Sequence, residues 1–382
     1  MIQTWSYPTR VLFGAGSVSL VGVEARALGA RHVLVVGDRG VEKAGLLLPV
    51  LTSLDDEGIG HQEYLDVRGN PTQSDVIDGL DAYRKAHADL IVAIGGGSAL
   101  DVAKLIALSV NHAPPLFQYD DAIGGDKKIV HTVPSVIAIP TTAGTGSEVG
   151  RSGVITIDHR KTVIFSPKLM PAIAILDPEL STTLPPTLTA ATGLDALTHC
   201  VEAYLAIGDH PAADATALAG IELCARSLET AITDGRDIGA RGDMLKAAML
   251  GAMAFQKGLG ACHSMAHPLS AIADVHHGLA NAICLGAVIR FNHQSVPDRV
   301  HRIRQTWTQH AKGVASERDQ SIEASIDRLL EITGLPRTLS SAGIAKTQIT
   351  ELAPLAMADG CHALNPRRCT QDDFLALYTE VY

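Results

Sequence analysis

Asp195 and His199 stand four residues apart in the stretch "GLDALTHCVEAY". That spacing puts a carboxylate and an imidazole on one face of a helix whose other residues are mostly Ala and Leu. Downstream, "CHSMAHPLS" sets His263 and His267 at the same interval, and "ADVHHGLANA" adds His276 and His277. The chain has 16 histidines, and a single buried histidine is more often a satisfied core residue. Five of them with an aspartate in one helical region point instead to a metal ion, which needs such groups together. Asp and His ligands without Cys suit Fe(II) or Zn(II), and spacing does not choose between these ions. Three or four protein ligands with one position open would make a Lewis acid aimed at a substrate oxygen. Periodicity leaves open which of His263, His267, His276 and His277 bind.

A second kind of chemistry is written in "LIVAIGGGSALDVAK". A strand runs into Gly95, Gly96, Gly97 and Ser98 and then a helix. Glycines let the backbone approach a ligand closely, and the helix start offers unpaired N–H groups and a positive dipole end. That suits a pyrophosphate, although the spacing is not GxGxxG. The loop "PTTAGTGSE" after the next strand adds the hydroxyls of Thr141, Thr142, Thr145 and Ser147. Two such loops would meet at the C-terminal edge of one sheet, where α/β proteins bind ligands. Asp38, ending the strand "HVLVVGD", is placed to accept bonds from a ribose diol and would repel a 2′-phosphate, favouring NAD over NADP. The plainer reading is an Asp that starts a turn.

These residues need a frame. The first half alternates β-branched runs ("HVLVVGD", "HQEYLDV", "DLIVAIGGG", "SVIAIPTT") with helical stretches, which predicts a parallel sheet between helices. From about Pro186 onward nearly everything has helical period. We therefore expect an α/β nucleotide-binding domain over 1–182 and an all-helical metal- and substrate-binding domain over 183–382, with the ligand in a cleft between them. A length of 382 residues suits two domains, and 46% hydrophobic residues suffice for their cores. A net charge of −10 without a dense basic block argues against nucleic acid or an anionic membrane as partner. The first residues do not read as a signal peptide, and no run reads as a membrane span. Six cysteines without CxxC spacing read as reduced, buried thiols. A cytoplasmic protein acting on a small molecule is the expectation.

From "VLFGAGSV" through "NPT", "AIGGGSALDVAK", "IPTTAGTGSEV", "LTAATGLDALTHCVEAY" and "HSMAHPLS" to "HHGLANA", the chain resembles the iron-containing, group III alcohol dehydrogenases. The resemblance implies a dehydroquinate synthase-like architecture. It implies a metal, Fe(2+) or Zn(2+), held by Asp195, His199, His263 and His277. It makes His267 an unligated polar group near the nicotinamide, and assigns catalysis to His267 and His277. It implies that NAD contacts Asp38, Asn70, Gly96, Gly97, Ser98, Thr141, Thr142, Thr145 and Lys161. A homodimer or higher homo-oligomer is implied as well. One departure stands out: the family often reads "PHG" where this chain has "HHG", so His276 is a surface residue, a proton-relay member or a rival ligand.

"GAMAFQKGLG", "HHG" and "DGCHALNPRRC" look most like the 4-hydroxybutyrate dehydrogenase branch, which interconverts 4-hydroxybutyrate and succinate semialdehyde. Such a substrate needs a cation for its remote carboxylate; Arg151, Lys161, Arg367 and Arg368 are the candidates. Three rival readings differ in class. One is a dehydroquinate-synthase-like lyase, which should carry a Lys/Arg cluster for a phosphorylated substrate. The second is a non-catalytic NAD- or metal-binding protein. The third is a metal-free maleylacetate reductase relative, against which the Asp195/His199/His263/His277 set argues.

Overall fold

The computed structural model describes residues 9–158, 160–312 and 321–382. By contact they divide into two compact units, one of residues 9–142 and 146–183, the other of residues 143–145 and 184–382.

In the first unit the strands β1 (Arg10–Phe13), β2 (His32–Val36), β3 (Gly60–Tyr64), β4 (Leu90–Gly95), β5 (Val136–Pro140) and β8 (Ile173–Leu176) form a parallel sheet in the order β1-β8-β5-β4-β2-β3. Period-2 alternation explains why both faces are dry. Leu34, Val36, Ile91 and Ala93 point to one face. There they meet α4 (Gln73–Lys85) through Val76 and Tyr83, and α5 (Gly97–Asn111) through Leu100 and Ile106. Val33, Val35, Val92 and Ile94 point to the other. They meet α1 (Val21–Ala27) through Val21 and Ala25, and α3 (Leu47–Asp56) through Val50 and Leu54. A short α2 (Arg39–Lys43) follows β2.

Each of the four strands expected between His32 and Thr142 is present, with helices between them. An additional antiparallel pair, β6 (Ser152–Ile157) with β7 (Arg160–Phe165), was not legible, because its strands follow the Gly/Thr loop without a hairpin signature. Fully buried Lys104 ties α5 to this region. Its amine donates to Ser147 Oγ at 2.6 Å and to the Ser147 and Ser152 carbonyls, and it pairs with Asp101 at 3.2 Å.

The second unit is helical in its described residues: α6 (Pro186–Leu205), α7 (Pro211–Thr233), α8 (Ile238–Ala254), α9 (Ala261–Ala273), α10 (His277–His293), α11 (Pro297–His310), α12 (Ile322–Thr333), α13 (Ile349–Ala358) and α14 (Gln371–Glu380). Helix α6 packs on α7, α8 and α10 and is buried on nearly all sides from Thr189 to Leu205, as a central helix must be. Its polar residues Asp195, Thr198, His199 and Glu202 are buried too, so each needs a partner. No described helix is long and apolar enough to cross a membrane.

Candidate metal centre and nucleotide cradle

Helices α6, α9 and the first turn of α10 bring the sequence-predicted ligands together. One oxygen of Asp195 and one nitrogen each of His263 and His277 lie within 4.8 Å of one another. The amide nitrogen of Asn281, one turn after His277, stands among them. It is 2.8 Å from Asp195 Oδ1, 3.2 Å from His277 Nε2 and 3.4 Å from His263 Nε2. His199 flanks this trio, its ring stacked on that of His263 with centroids 4.7 Å apart. Its Nδ1 is buried without a hydrogen-bond partner of good geometry among the described residues.

Charge is distributed unevenly over the cluster. Burial alone would raise the pKa of Asp195, but His199, His277 and His263 around it, with the bond from Asn281, hold it at about 2. Burial pushes His199 down to about 4 and His277 well below the ordinary imidazole value. His263 goes the other way: burial opposes its charge, yet the hydrogen bond and the charge of Glu202 outweigh it. Since Glu202 accepts Nδ1–H of His263 at 2.6 Å, the lone pair of His263 is on Nε2, facing the trio. Three acceptor atoms thus converge, and one amide has two protons for them. A divalent cation fits this donor set better, and the oxygen–nitrogen mix suits iron or zinc.

His267 does not join the trio. Its ring stacks on that of His277 at 5.4 Å, and its Nδ1 donates to Asp359 Oδ2 at 2.7 Å. Asp359 is itself pinned by Ser264 Oγ and the Cys361 N–H. Burial would raise this carboxyl, but the bond and charge from His267 bring it below the usual carboxylate range. His276 is exposed as the N-cap of α10 and stands outside the trio.

Reading the sequence missed Glu202, Asn281 and Asp359. Two left a local trace: Glu202 continues the Asp195/His199 stripe at i+7, and Asn281 lies at i+4 from His277. Asp359 left none, being 92 residues from the histidine it holds.

Most of the residues expected to contact a nucleotide lie in the α/β unit. Gly95 has φ +150°, and a Cβ there would lie 2.8 Å from Ala99 Cβ and 3.3 Å from Asp38 Oδ2. Gly96 precedes α5 and supplies no side-chain cap, so the N–H groups of the first turn are without a side-chain acceptor. Ser98 Oγ donates to the Gly69 carbonyl at 2.7 Å, and Lys161 Nζ to Asn70 Oδ1 at 3.3 Å. Thr156 N donates to the Pro71 carbonyl, which fastens the "NPT" loop to β6. Thr142 lies beside Gly96, and Thr141 N donates to the Gly95 carbonyl. Asp38 starts a turn, as its plainer reading expects: Oδ1 caps α2 by accepting from Gly40 N and Val41 N, while Oδ2 is on the Gly95 side. Thr145 alone of the set falls by contact with the helical unit.

Two family models cover this chain: iron-containing alcohol dehydrogenase over residues 8–178, and the C-terminal model of the Fe-containing alcohol dehydrogenase family over 189–382. The chain belongs to the iron-containing alcohol dehydrogenase family. It is 38% identical to a 4-hydroxybutyrate dehydrogenase of Cupriavidus necator, over 96% of this chain and 97% of that one. Its fold matches a crystal structure of 1,3-propanediol oxidoreductase with a TM-score of 0.91 at 35% identity, each chain fully covered. It also matches a sulfoacetaldehyde reductase from Bifidobacterium kashiwanohense in complex with NAD+, with a TM-score of 0.87 at 26% identity, over 100% and 99% of the two chains. This chain is accordingly an oxidoreductase of the iron-containing alcohol dehydrogenase type. Neither the lyase nor the non-catalytic reading gains support.

Proposed function

We propose that this dehydrogenase interconverts 4-hydroxybutyrate and succinate semialdehyde. Residues 1–182 bind NAD, and 183–382 bind metal and substrate. Asp195, His263 and His277 hold the ion, with His199 completing the set. Asp38, Asn70, Gly96, Gly97, Ser98, Thr141, Thr142, Thr145 and Lys161 hold the dinucleotide. The observation that carries the reading is the convergence of Asp195, His263 and His277 on one point. The 4-hydroxybutyrate dehydrogenase relative supports the substrate.

When bound, the ion supplies Lewis acidity to the substrate oxygen and NAD supplies hydride exchange. The protein's own part is orientation and proton movement. Asn281 orients Asp195, and Glu202 fixes the tautomer of His263. His267, its Nδ1–H committed to Asp359, keeps Nε2 for the alcohol proton and passes it to solvent. Of the candidate cations for the substrate carboxylate, Arg151 is half-buried, lies over the Phe165 ring at 5.1 Å, and has no acidic partner among the described residues. The other candidates are engaged or solvated: Lys161 bonds Asn70, Arg367 bonds Gln294 and stacks on Phe291, and Arg368 is exposed. The enzyme works as a cytoplasmic homodimer or higher homo-oligomer.

The test is anaerobic NADH formation by chelator-stripped protein restored with Fe(II) or Zn(II), comparing 4-hydroxybutyrate with 1-propanol. Metal-dependent turnover of the hydroxy acid, lost together with bound metal in His263→Ala, is the expected result. Turnover of 1-propanol alone would discard the substrate, and His263→Ala with normal metal content would discard the ligand set.

A further inference from the structure

Helix α9 begins without a cap of its own. Gly260 precedes it and has no side chain to accept the first N–H groups. A Cβ at Gly260 would lie 2.8 Å from both Asn365 Oδ1 and Glu202 Oε1, and those two side chains do the capping. Asn365 Oδ1 accepts from Ala261 N at 3.2 Å, Glu202 Oε1 from Cys262 N at 2.6 Å, and Glu202 Oε2 from His263 N at 3.3 Å. The same Oε2 accepts Nδ1–H of His263 at 2.6 Å. Glu202 is only 2% exposed, and an acid so placed is favoured by the helix dipole and by charge-assisted bonds. One buried carboxylate therefore starts the helix that carries His263 and aims the Nε2 lone pair of that residue at Asp195 and His277.

We infer that Glu202 is a positioning residue for the metal, setting its affinity through His263 without being a ligand; this rests on the ligand set proposed above. A glutamine in its place has one oxygen for the donors that two oxygens now share, and its NH2 opposes a donor of the helix start or of His263. His263 then loses the acceptor that commits its tautomer. Outer partners of this kind change metal affinity by roughly 10- to 100-fold.

Zinc affinity of the full chain, measured by chelator competition, tests this on wild type, Glu202→Gln and Asn365→Ala. Glu202→Gln should bind roughly 10- to 100-fold more weakly. Asn365→Ala, which loses a cap of the same helix but no contact with His263, should stay near wild type. Equal affinity of wild type and Glu202→Gln overturns the inference, as does an equal loss in Asn365→Ala, which would make Glu202 a helix cap only. Should circular dichroism show Glu202→Gln unfolded, the zinc-loaded wild type decides the matter. Nitrogen-15 histidine spectra, with His263 assigned by its absence in His263→Asn, should show its proton on Nδ1, and a proton on Nε2 overturns the inference. Wild type that binds no zinc defeats the ligand set itself, and the inference with it.

Discussion

At the scale of single residues, acids in this protein behave according to what faces them. Asp195 is buried beside imidazoles and the Asn281 amide, which stabilise its charge. Glu148 is buried as deeply, at 2% exposure, and Oε1 has no hydrogen-bond partner among the described residues. Burial raises its pKa from 4.5 to about 7, opposed only by its own backbone N–H and the charge of Lys104. The folded state therefore binds more protons than the unfolded one between pH 4.5 and 7, and stability must fall as pH rises through that window. Glu148→Gln removes this penalty. Relative to wild type it should gain about 1–3 kcal/mol between pH 5 and pH 8, read as a widening difference in melting temperature. Parallel melting curves at the two pH values would show that Glu148 is not charged at a cost.

At the scale of elements, the proposed metal centre depends on how closely α6 and α10 approach. A Cβ on Gly278 would lie 2.2 Å from the Ala191 carbonyl oxygen and 3.2 Å from Asp195 Cβ. The two backbones thus touch beside His277 and Asp195, each on its own helix. Gly278→Ala must push the helices apart, and overpacking of this kind costs about 1–3 kcal/mol or more against backbone. A fall of several degrees in melting temperature and a clear loss of bound metal are expected. Metal content equal to wild type, measured after gel filtration, would mean that the crossing yields without moving the ligands. Reading the sequence identified the Asp195/His199 face of α6 and a helical second half, without placing α10. Contact between backbones left no signal in "HHGLANA" beyond a glycine, because local periodicity carries no information about the partner surface.

At the scale of the whole molecule, the trio Asp195, His263 and His277 lies within the helical unit and the Gly95–Ser98 turn within the α/β unit. Binding to the native state alone stabilises by mass action, about 2.7 kcal/mol when the free ligand is at 100 times its dissociation constant. Zinc or Fe(II) should therefore raise the melting temperature and a chelator should lower it, with NAD acting independently of either. Scanning calorimetry of stripped and reloaded protein checks this. A melting temperature indifferent to metal would contradict folding stabilised by ion binding.

The sequence by itself determined the parallel sheet, the glycine turn, the helical second half and the polar stripe of α6. Each is a local pattern: alternation, a strand–glycine–helix order, or i,i+4 spacing. It also carried the family resemblance, through long stretches in a fixed order. Only the tertiary structure decided which histidines meet, and it set Asp195, His263 and His277 together while leaving His267 on Asp359 and His276 at the surface. It likewise supplied Glu202 and Asn365 as the cap of a helix that begins with glycine. The physical reason is common to these cases. A side chain's partner lies across helix packing, tens of residues away in the chain, and burial makes that partner obligatory without naming it locally.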